Sequence, residues 1–574
     1  MTSMLKLDSS DPSHLIKGYE CRHAVYCLSP DGQNDLLVVK EYIHYEDGRV
    51  EPSLRLIPNY ERSFWVTKPA FQDHADKLEW EEFSKLREFK TTQAKMPVQV
   101  AKALNRWNGS KPELRFLARS PYLYGTDIST TALIKREYKD KHPNAVSPKA
   151  RVAAYDTEAD VVNGDGDVIL ASLTFGSKSY TAITKQFAGT IYDVCEKIRS
   201  KANKELSEHV IKRGIVFEIE VVENAGYAVH NCMMKAHEWQ PDFVIAWNID
   251  YDIPKTQEML LKYGFDPADT FSDPRVPKEY RYFRYKEGKS QKVTQGGKVM
   301  PLHPADRWHT VFHPAGWYIV DAMCLYKRIR IAKGNLPSYS LDYVMNKEVK
   351  MGKFKIPECD HLKGLEWHVA MQKHYKIEYS VYHIFDCVGL EILDEKTGDV
   401  CTSFPILAGS SDYNDFTSNP KRICDDLHFE VQKDGYVICA VSDDMRDDLD
   451  KYVIDLNGHI VTLQASMMED NGLPILKDLP TIRSMFRAMC FDLDIEGTYP
   501  TEEDLFNISK KTTVRELAAI RGVDPYIQRM CGVNLTGGVT NAIEICSEIF
   551  GLPGPVEVMN FFLEDNPQHR RLVV

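Results

Sequence analysis

Long apolar runs are missing from this 574-residue chain. None reaches the roughly 18 residues a membrane-spanning helix needs, so no such helix is expected. The start, MTSMLKLDSSDPSHL, lacks the apolar core of a secretory signal. The thirteen cysteines include no C-x-x-C pair and no Cys/His cluster at zinc spacing. That speaks against a disulfide framework or a structural zinc site, and for reduced thiols inside a cell. Positive charge is not in excess either: 71 Lys and Arg stand against 83 Asp and Glu, a net charge of −12. A protein that coats nucleic acid by charge alone is a poor fit. An enzyme with a local basic groove beside an acidic metal site is not excluded. No internal repeat and no low-complexity tract interrupts the chain.

What is present is the composition of a globular protein, 43% apolar, 11% aromatic and 27% charged. The length is too great for one core and calls for several domains. We expect an α/β multidomain chain divided at 1–149, 150–398 and 399–574. The first region mixes strand-like runs (DLLVVKEYIHYE, YERSFWVTKP) with short helical ones (LEWEEFSKLREF, PVQVAKALNRW). The polar, Pro-containing segment KREYKDKHPNAVSPKAR reads as a linker or loop before the next domain.

From 150 onward RVAAYDTEADVV, VILASLTFG and SYTAITK suggest a β-meander. The short apolar strand DFVIAWNID precedes a helix in DIPKTQEMLLKYG, with Pro254 near its start and Gly264 at its end. A long helix is expected over IEYSVYHIFDCVGLEILDE, where Val381, Ile384, Phe385, Val388 and Ile392 recur at helical spacing. GDV at 398–400 marks a break. Farther on, KYVIDLNGHIVTLQA looks like paired strands around an Asn457-Gly458 turn. FRAMCFDLDIEGTYPT looks like a strand entering a turn, and NAIEICSEIF like a short helix.

Within VAAYDTEADVV two acids interrupt an apolar strand. Residues i and i+2 of a strand face one side, so Asp156 and Glu158 project together. Two carboxylates that close repel unless a cation lies between them or they reach water. In AWNIDYDIPK, Asp252 lies where a strand gives way to a helix, a common place for a ligand in α/β sheets. Asp250 is an alternative, and either acid could instead cap the helix. In YHIFD, Tyr382 and Asp386 are four apart and share one helical face.

Taken together, the order D-x-E, N-x-x-Y-D, Y-x-x-x-D resembles the proofreading exonucleases with a DEDD ligand set. WYIVDAMCLYKR (317–328) and LPSYSLDYVMNKEVKMGKFK (336–355) resemble segments of family B DNA polymerases of tailed bacteriophages. The resemblance spans about 110–520. One departure is that Asn248 and Tyr251 are separated by two residues, where most members have three.

The resemblance implies an RNase H-like 3′-5′ exonuclease domain that removes nucleoside monophosphates with two Mg²⁺ or Mn²⁺ ions. Asp156, Glu158, Asp252 and Asp386 would be the ligands, Asp156 bridging, and Tyr382 would orient the attacking water. Oxygen ligands suit these hard cations. Its substrates would be primer-template DNA and single-stranded 3′ ends. The basic, aromatic segment YRYFRYKEGKSQKVTQGGK (280–298) corresponds to a hairpin that helps separate primer from template. Arg281, Arg284, Lys286, Lys289 and Lys292 would contact DNA there, with Tyr282 or Tyr285 stacking on bases; a merely solvated hairpin is the alternative.

FDLDIEGTYPTEEDLFNISKKTT resembles the first palm motif of the family. It implies Asp494, or alternatively Asp492, as a metal ligand, and Tyr499 as the residue that excludes a ribose 2′-hydroxyl. The family's K-x-x-x-N-S-x-Y-G and D-T-D motifs do not occur in residues 500–574. The expectation is therefore a partial palm whose fingers, remaining palm and thumb come from a second polymerase chain. The setting would be viral replication in the cytoplasm of an infected bacterium, among other replisome proteins. A stand-alone nuclease with a non-catalytic palm remnant, or an inactive scaffold, are the alternatives.

Overall fold

A computed structural model of the chain describes residues 15–440, apart from short gaps at 76, 111, 148, 294–297, 332–333, 353–355, 360, 410–412 and 414–418; beyond 440 it describes 513–514 and 532–533. The chain divides into two compact units, Met1–Asp443 and Asp444–Val574. In the second unit the described pairs Thr513–Val514 and Gly532–Val533 form an antiparallel ladder. Asp492, Asp494, Tyr499, the Asn457-Gly458 turn, the strand-and-turn reading of FRAMCFDLDIEGTYPT and the helix expected in NAIEICSEIF lie outside the described residues.

The first unit opens with an antiparallel sheet of β1 (Ile16–Leu28), β2 (Asp35–Tyr45) and β3 (Val50–Pro58). The first eight residues of β2 are all buried, because both of its faces are covered. Leu36 and Val38 join the large core around the following domain, while Leu37 and Val39 pack with Ile134 and Tyr138. A second sheet has the order β6-β4-β7, from β4 (Glu61–Thr67), β6 (Leu86–Thr92) and β7 (Leu123–Tyr124). The segment LEWEEFSKLREF is not helical. It forms β5 (Trp80–Glu82), a 3₁₀ turn and β6. Pairing of β6 along all of β4, with Phe89 stacked on Phe64 at 5.3 Å, overrides the helical propensity of its Leu, Glu and Lys residues.

Helices α1 (Met96–Ala103) and α2 (Leu114–Leu117) follow, then α3 (Thr130–Lys141). The expected linker therefore begins only at His142. Ser129 caps α3 by accepting the Ala132 N–H, and Lys135 and Tyr138 are buried.

A six-stranded mixed sheet carries the centre of the unit, in the order β11-β10-β9-β8-β12-β17. Strands β8 (Val152–Ala159), β9 (Val168–Phe175) and β10 (Lys178–Thr184) form the antiparallel meander. After α4 (Lys185–Ala188), α5 (Val194–Glu205) and α6 (Ser207–Arg213), β11 (Val216–Val222) returns parallel to β10. Helix α7 (Ala225–Trp239) leads to β12 (Phe243–Ala246), parallel to β8. Helix α8 spans Ile249–Lys262, so Pro254 lies inside it rather than at its start. Gly264, at φ +80°, follows its end.

Beyond α9 (Pro267–Phe271), β13 (Arg284–Lys286) pairs with β16 (Thr310–Phe312), and β14 (Gln291–Val293) with β15 (Val299–Pro301). Strand β17 (Tyr318–Asp321) then joins β12 in parallel. It is followed by α10 (Ala322–Ile329), α11 (Leu341–Val349), α12 (Leu365–His374) and the long α13 (Lys376–Thr397). Gly398, at φ +67°, ends α13 at the expected break, and α14 (Asp399–Leu407) starts at once. After α15 (Asn419–Lys433), β18 (Tyr436–Ile438) pairs with β5, so the residues described in 399–440 belong to the first unit.

The sheet is covered on both faces. Ala153, Tyr155, Val244 and Ala246 pack toward α7 and α8. Ala154, Leu170, Ile245 and Val320 pack toward α5 and α13. Among the described residues no helix is long and apolar enough to cross a membrane.

Candidate metal centre

Strand β8 outruns its neighbour. Its pairing with β12 ends at Ala154, where it faces Ile245, and the β12 chain soon turns into α8. The next residues of β8 therefore border a crevice at the carboxyl ends of parallel strands, where an α/β sheet leaves room for a ligand. Ala154 faces α13, and by period-two alternation so do Asp156 and Glu158. Thr157 faces the other way. Its hydroxyl and N–H donate to Asp252 Oδ1 at 2.7 and 3.2 Å. This fixes Asp252, in the first turn of α8, against the strand bearing the other two acids. Asp250 points elsewhere, with its carboxylate 3.8 Å from His309 Nε2.

Helix α13 supplies the opposite wall. Tyr379 donates to Glu158 Oε2 at 2.6 Å. His383 Nδ1 lies 3.0 Å from Asp156 Oδ2, and the His383 side chain is completely buried. The Tyr382 hydroxyl is hydrogen-bonded to Asp386. Tyr382 is buried, so the side of α13 bearing it is not a solvated one. Asp156, Glu158 and His383 offer ligand atoms within 4.8 Å of one another, a span one divalent ion can bridge.

Electrostatics follow from this crowding. Burial raises the Glu158 carboxyl, and the charges of Asp156 and Asp386 add to the shift. Burial, then Asp156, holds Asp252 well above the carboxylate range. The cluster is short of positive charge at neutral pH, the condition a bound cation relieves.

Helix α12 steadies the arrangement. Gln372 accepts from the Val161 N–H and donates to the Ala159 carbonyl, gripping the end of β8. His368 Nδ1 lies 2.8 Å from the Tyr379 hydroxyl. Asp321, ending β17, accepts the Ile249 N–H at 3.1 Å and the Cys324 N–H at 2.7 Å, tying the starts of α8 and α10 together.

Asp156, Glu158, Asp252, Tyr382 and Asp386 thus meet around one crevice. Sequence reasoning missed Tyr379, His383, Gln372 and Asp321. The spacing of Tyr379, His383 and Asp386, i, i+4 and i+7, was a signal for the first two, since it marks one helical face. Nothing in the sequence singled out Gln372.

The residues expected to contact DNA separate into two groups. Arg281 is held by Asp269 at 3.0 Å and by the carbonyls of Val276 and Pro274. Tyr282 packs against the core, and Tyr285 shares a hydrogen bond with His309 at 2.6 Å. Arg284, lying over the Phe312 ring, and Lys286, Lys289 and Lys292 are exposed. No protein-family model matches the chain, and no curated protein matches it.

Proposed function

We propose that the first unit is a metal-dependent 3′-5′ exonuclease of the RNase H-like DEDD type, serving a family B viral DNA polymerase in the cytoplasm of an infected bacterium. The observation that carries this reading is the convergence of Asp156, Glu158, Asp252 and Asp386, from the end of one strand and from two helices, with Tyr382 bonded to Asp386. The β10-β9-β8 meander continued by parallel β12 and β17 supports the RNase H-like assignment. The buried Asp252 and the half-buried Asp156, Glu158 and Asp386, together with a buried imidazole lacking hydrogen bonds, fit a divalent cation.

Bound Mg²⁺ or Mn²⁺ ions supply a strong nucleophile at neutral pH and stabilise charge on the leaving oxygen. The protein's own groups do the positioning. Thr157 fixes Asp252, and Tyr379 fixes Glu158. Burial keeps the Tyr382 phenol protonated, so its oxygen accepts a hydrogen bond from the attacking water while its O–H donates to Asp386. The exposed Lys286, Lys289 and Lys292, on β13, β14 and the turn between them, would bind DNA phosphates. DNA synthesis would involve Asp494 and Tyr499 with a second polymerase chain that completes the palm, alongside other replisome proteins.

The test uses a 5′-labelled primer on a longer template with Mg²⁺, with and without deoxynucleotides. We expect shortening in both conditions, and none with the double variant Asp156→Ala, Glu158→Ala. Full-rate shortening by that variant would overturn the metal assignment. Extension by the chain alone would overturn the need for a partner.

A further inference from the structure

His383 belongs to none of the acid motifs, yet it occupies their centre. Its side chain has no exposed surface, and neither ring nitrogen has a hydrogen-bond partner. Buried polar atoms are nearly always paired, so an imidazole left this way marks a position completed by something else. The ring is aimed at the acids, with Nδ1 3.0 Å from Asp156 Oδ2 but out of line for a hydrogen bond. Two ligands on opposite sides of one ion, each bonded at about 2.1–2.3 Å, stand roughly 4.2–4.6 Å apart. The donor atoms of Asp156, Glu158 and His383 already lie within 4.8 Å of one another. Tyr379 engages only one oxygen of Glu158, which leaves the other for a ligand.

We propose that His383 is a nitrogen ligand of the ion held by Asp156 and Glu158, making this a mixed nitrogen–oxygen centre that favours Mn²⁺ over Mg²⁺. The inference rests on the metal-centre reading above and goes beyond an all-oxygen ligand set. Magnesium prefers oxygen donors and keeps its waters, whereas imidazole suits first-row transition ions. An imidazole in the set therefore shifts preference along that series. Position 383 is set by α13 itself: one turn after Tyr379, it has the same face as the tyrosine that orients Glu158.

The 574-residue chain loaded with Mn²⁺ is examined by pulsed electron paramagnetic resonance, which detects a directly bound ¹⁴N without requiring activity. We expect ¹⁴N modulation in the wild type and its loss in His383→Ala and His383→Gln. Calorimetric titration should show Mn²⁺ affinity falling on the order of tenfold in both variants, with Mg²⁺ affinity nearly unchanged. The wild-type spectrum needs no variant to fold. Mn²⁺ bound to the wild type and lost in Asp156→Asn, but without ¹⁴N modulation, would overturn the ligand role of His383 and leave the metal centre standing. No Mn²⁺ or Mg²⁺ binding to the wild type would overturn both.

Discussion

At the scale of single residues, the centre depends on how Glu158 is held. Its Oε2 receives the Tyr379 hydroxyl, and that hydroxyl is contacted by His368 and by Gln372 Nε2 at 3.3 Å. Tyr379→Phe deletes the donor and keeps the ring. We expect kcat of the proposed nuclease activity to fall about tenfold or more, with the fold unchanged by circular dichroism; steady-state kinetics on a labelled primer checks it. The acids also predict a pH effect. Burial and mutual repulsion raise Glu158 and Asp252 above their unfolded values. Groups raised in the folded state contribute stability that is full below their unfolded pKa, near about 4, and lost as pH rises through the raised values. The melting temperature of the metal-free protein should therefore fall as pH is raised from 5 to 8. Glu158→Gln should flatten that fall, as scanning calorimetry would show.

At the scale of elements, packing is tight where α7 meets the end of α8. A Cβ on Gly226 would lie 2.5 Å from Tyr263 Cβ and 3.1 Å from the Phe265 ring. Gly226→Ala should cost about 1–3 kcal/mol, measured by denaturant unfolding, because the backbone or the α8–α9 turn must shift. The elements also explain what the sequence could reveal. β8, β9, β10, β12 and α13 were legible because their apolar residues run through segments that end up buried. The acids were legible through their spacing. The segment 78–89 was not, since its charged residues suit a helix and only pairing of β5 with β18 and of β6 with β4 makes strands of it. Nor was α3, whose buried Lys135 and Tyr138 look like surface residues until β1 covers them. Thr157 and Gln372 act through contacts with distant segments, which local pattern cannot show.

At the scale of the whole unit, one buried carboxylate joins the N-terminal strands to the central sheet. Asp242, just before β12, accepts Lys40 Nζ at 2.9 Å, the Tyr42 hydroxyl at 2.8 Å and the Arg151 N–H at 2.8 Å. Arg22 lies 3.9 Å away. Burial works against its charge, but Lys40 and the neighbouring cationic groups outweigh it and bring the carboxyl down to about 2. A depressed carboxyl contributes stability above its unfolded pKa that is lost as pH falls through the folded one. Asp242→Asn should cost roughly 3–5 kcal/mol, since it leaves Lys40 buried without its counter-charge. It should also weaken the dependence of stability on pH between about 4 and 2, followed by denaturant titration.

The pairing of β18 with β5 bears on how this protein is born. The strand at Trp80–Glu82 leaves the ribosome long before its partner at Tyr436–Ile438. At roughly 5–20 residues per second, its edge stays open for tens of seconds while the central sheet is still being made. During that interval an unpaired strand invites association with other nascent chains. The acidic flank of β5, Glu79, Glu81 and Glu82, places negative charge along that edge until the late strand closes it.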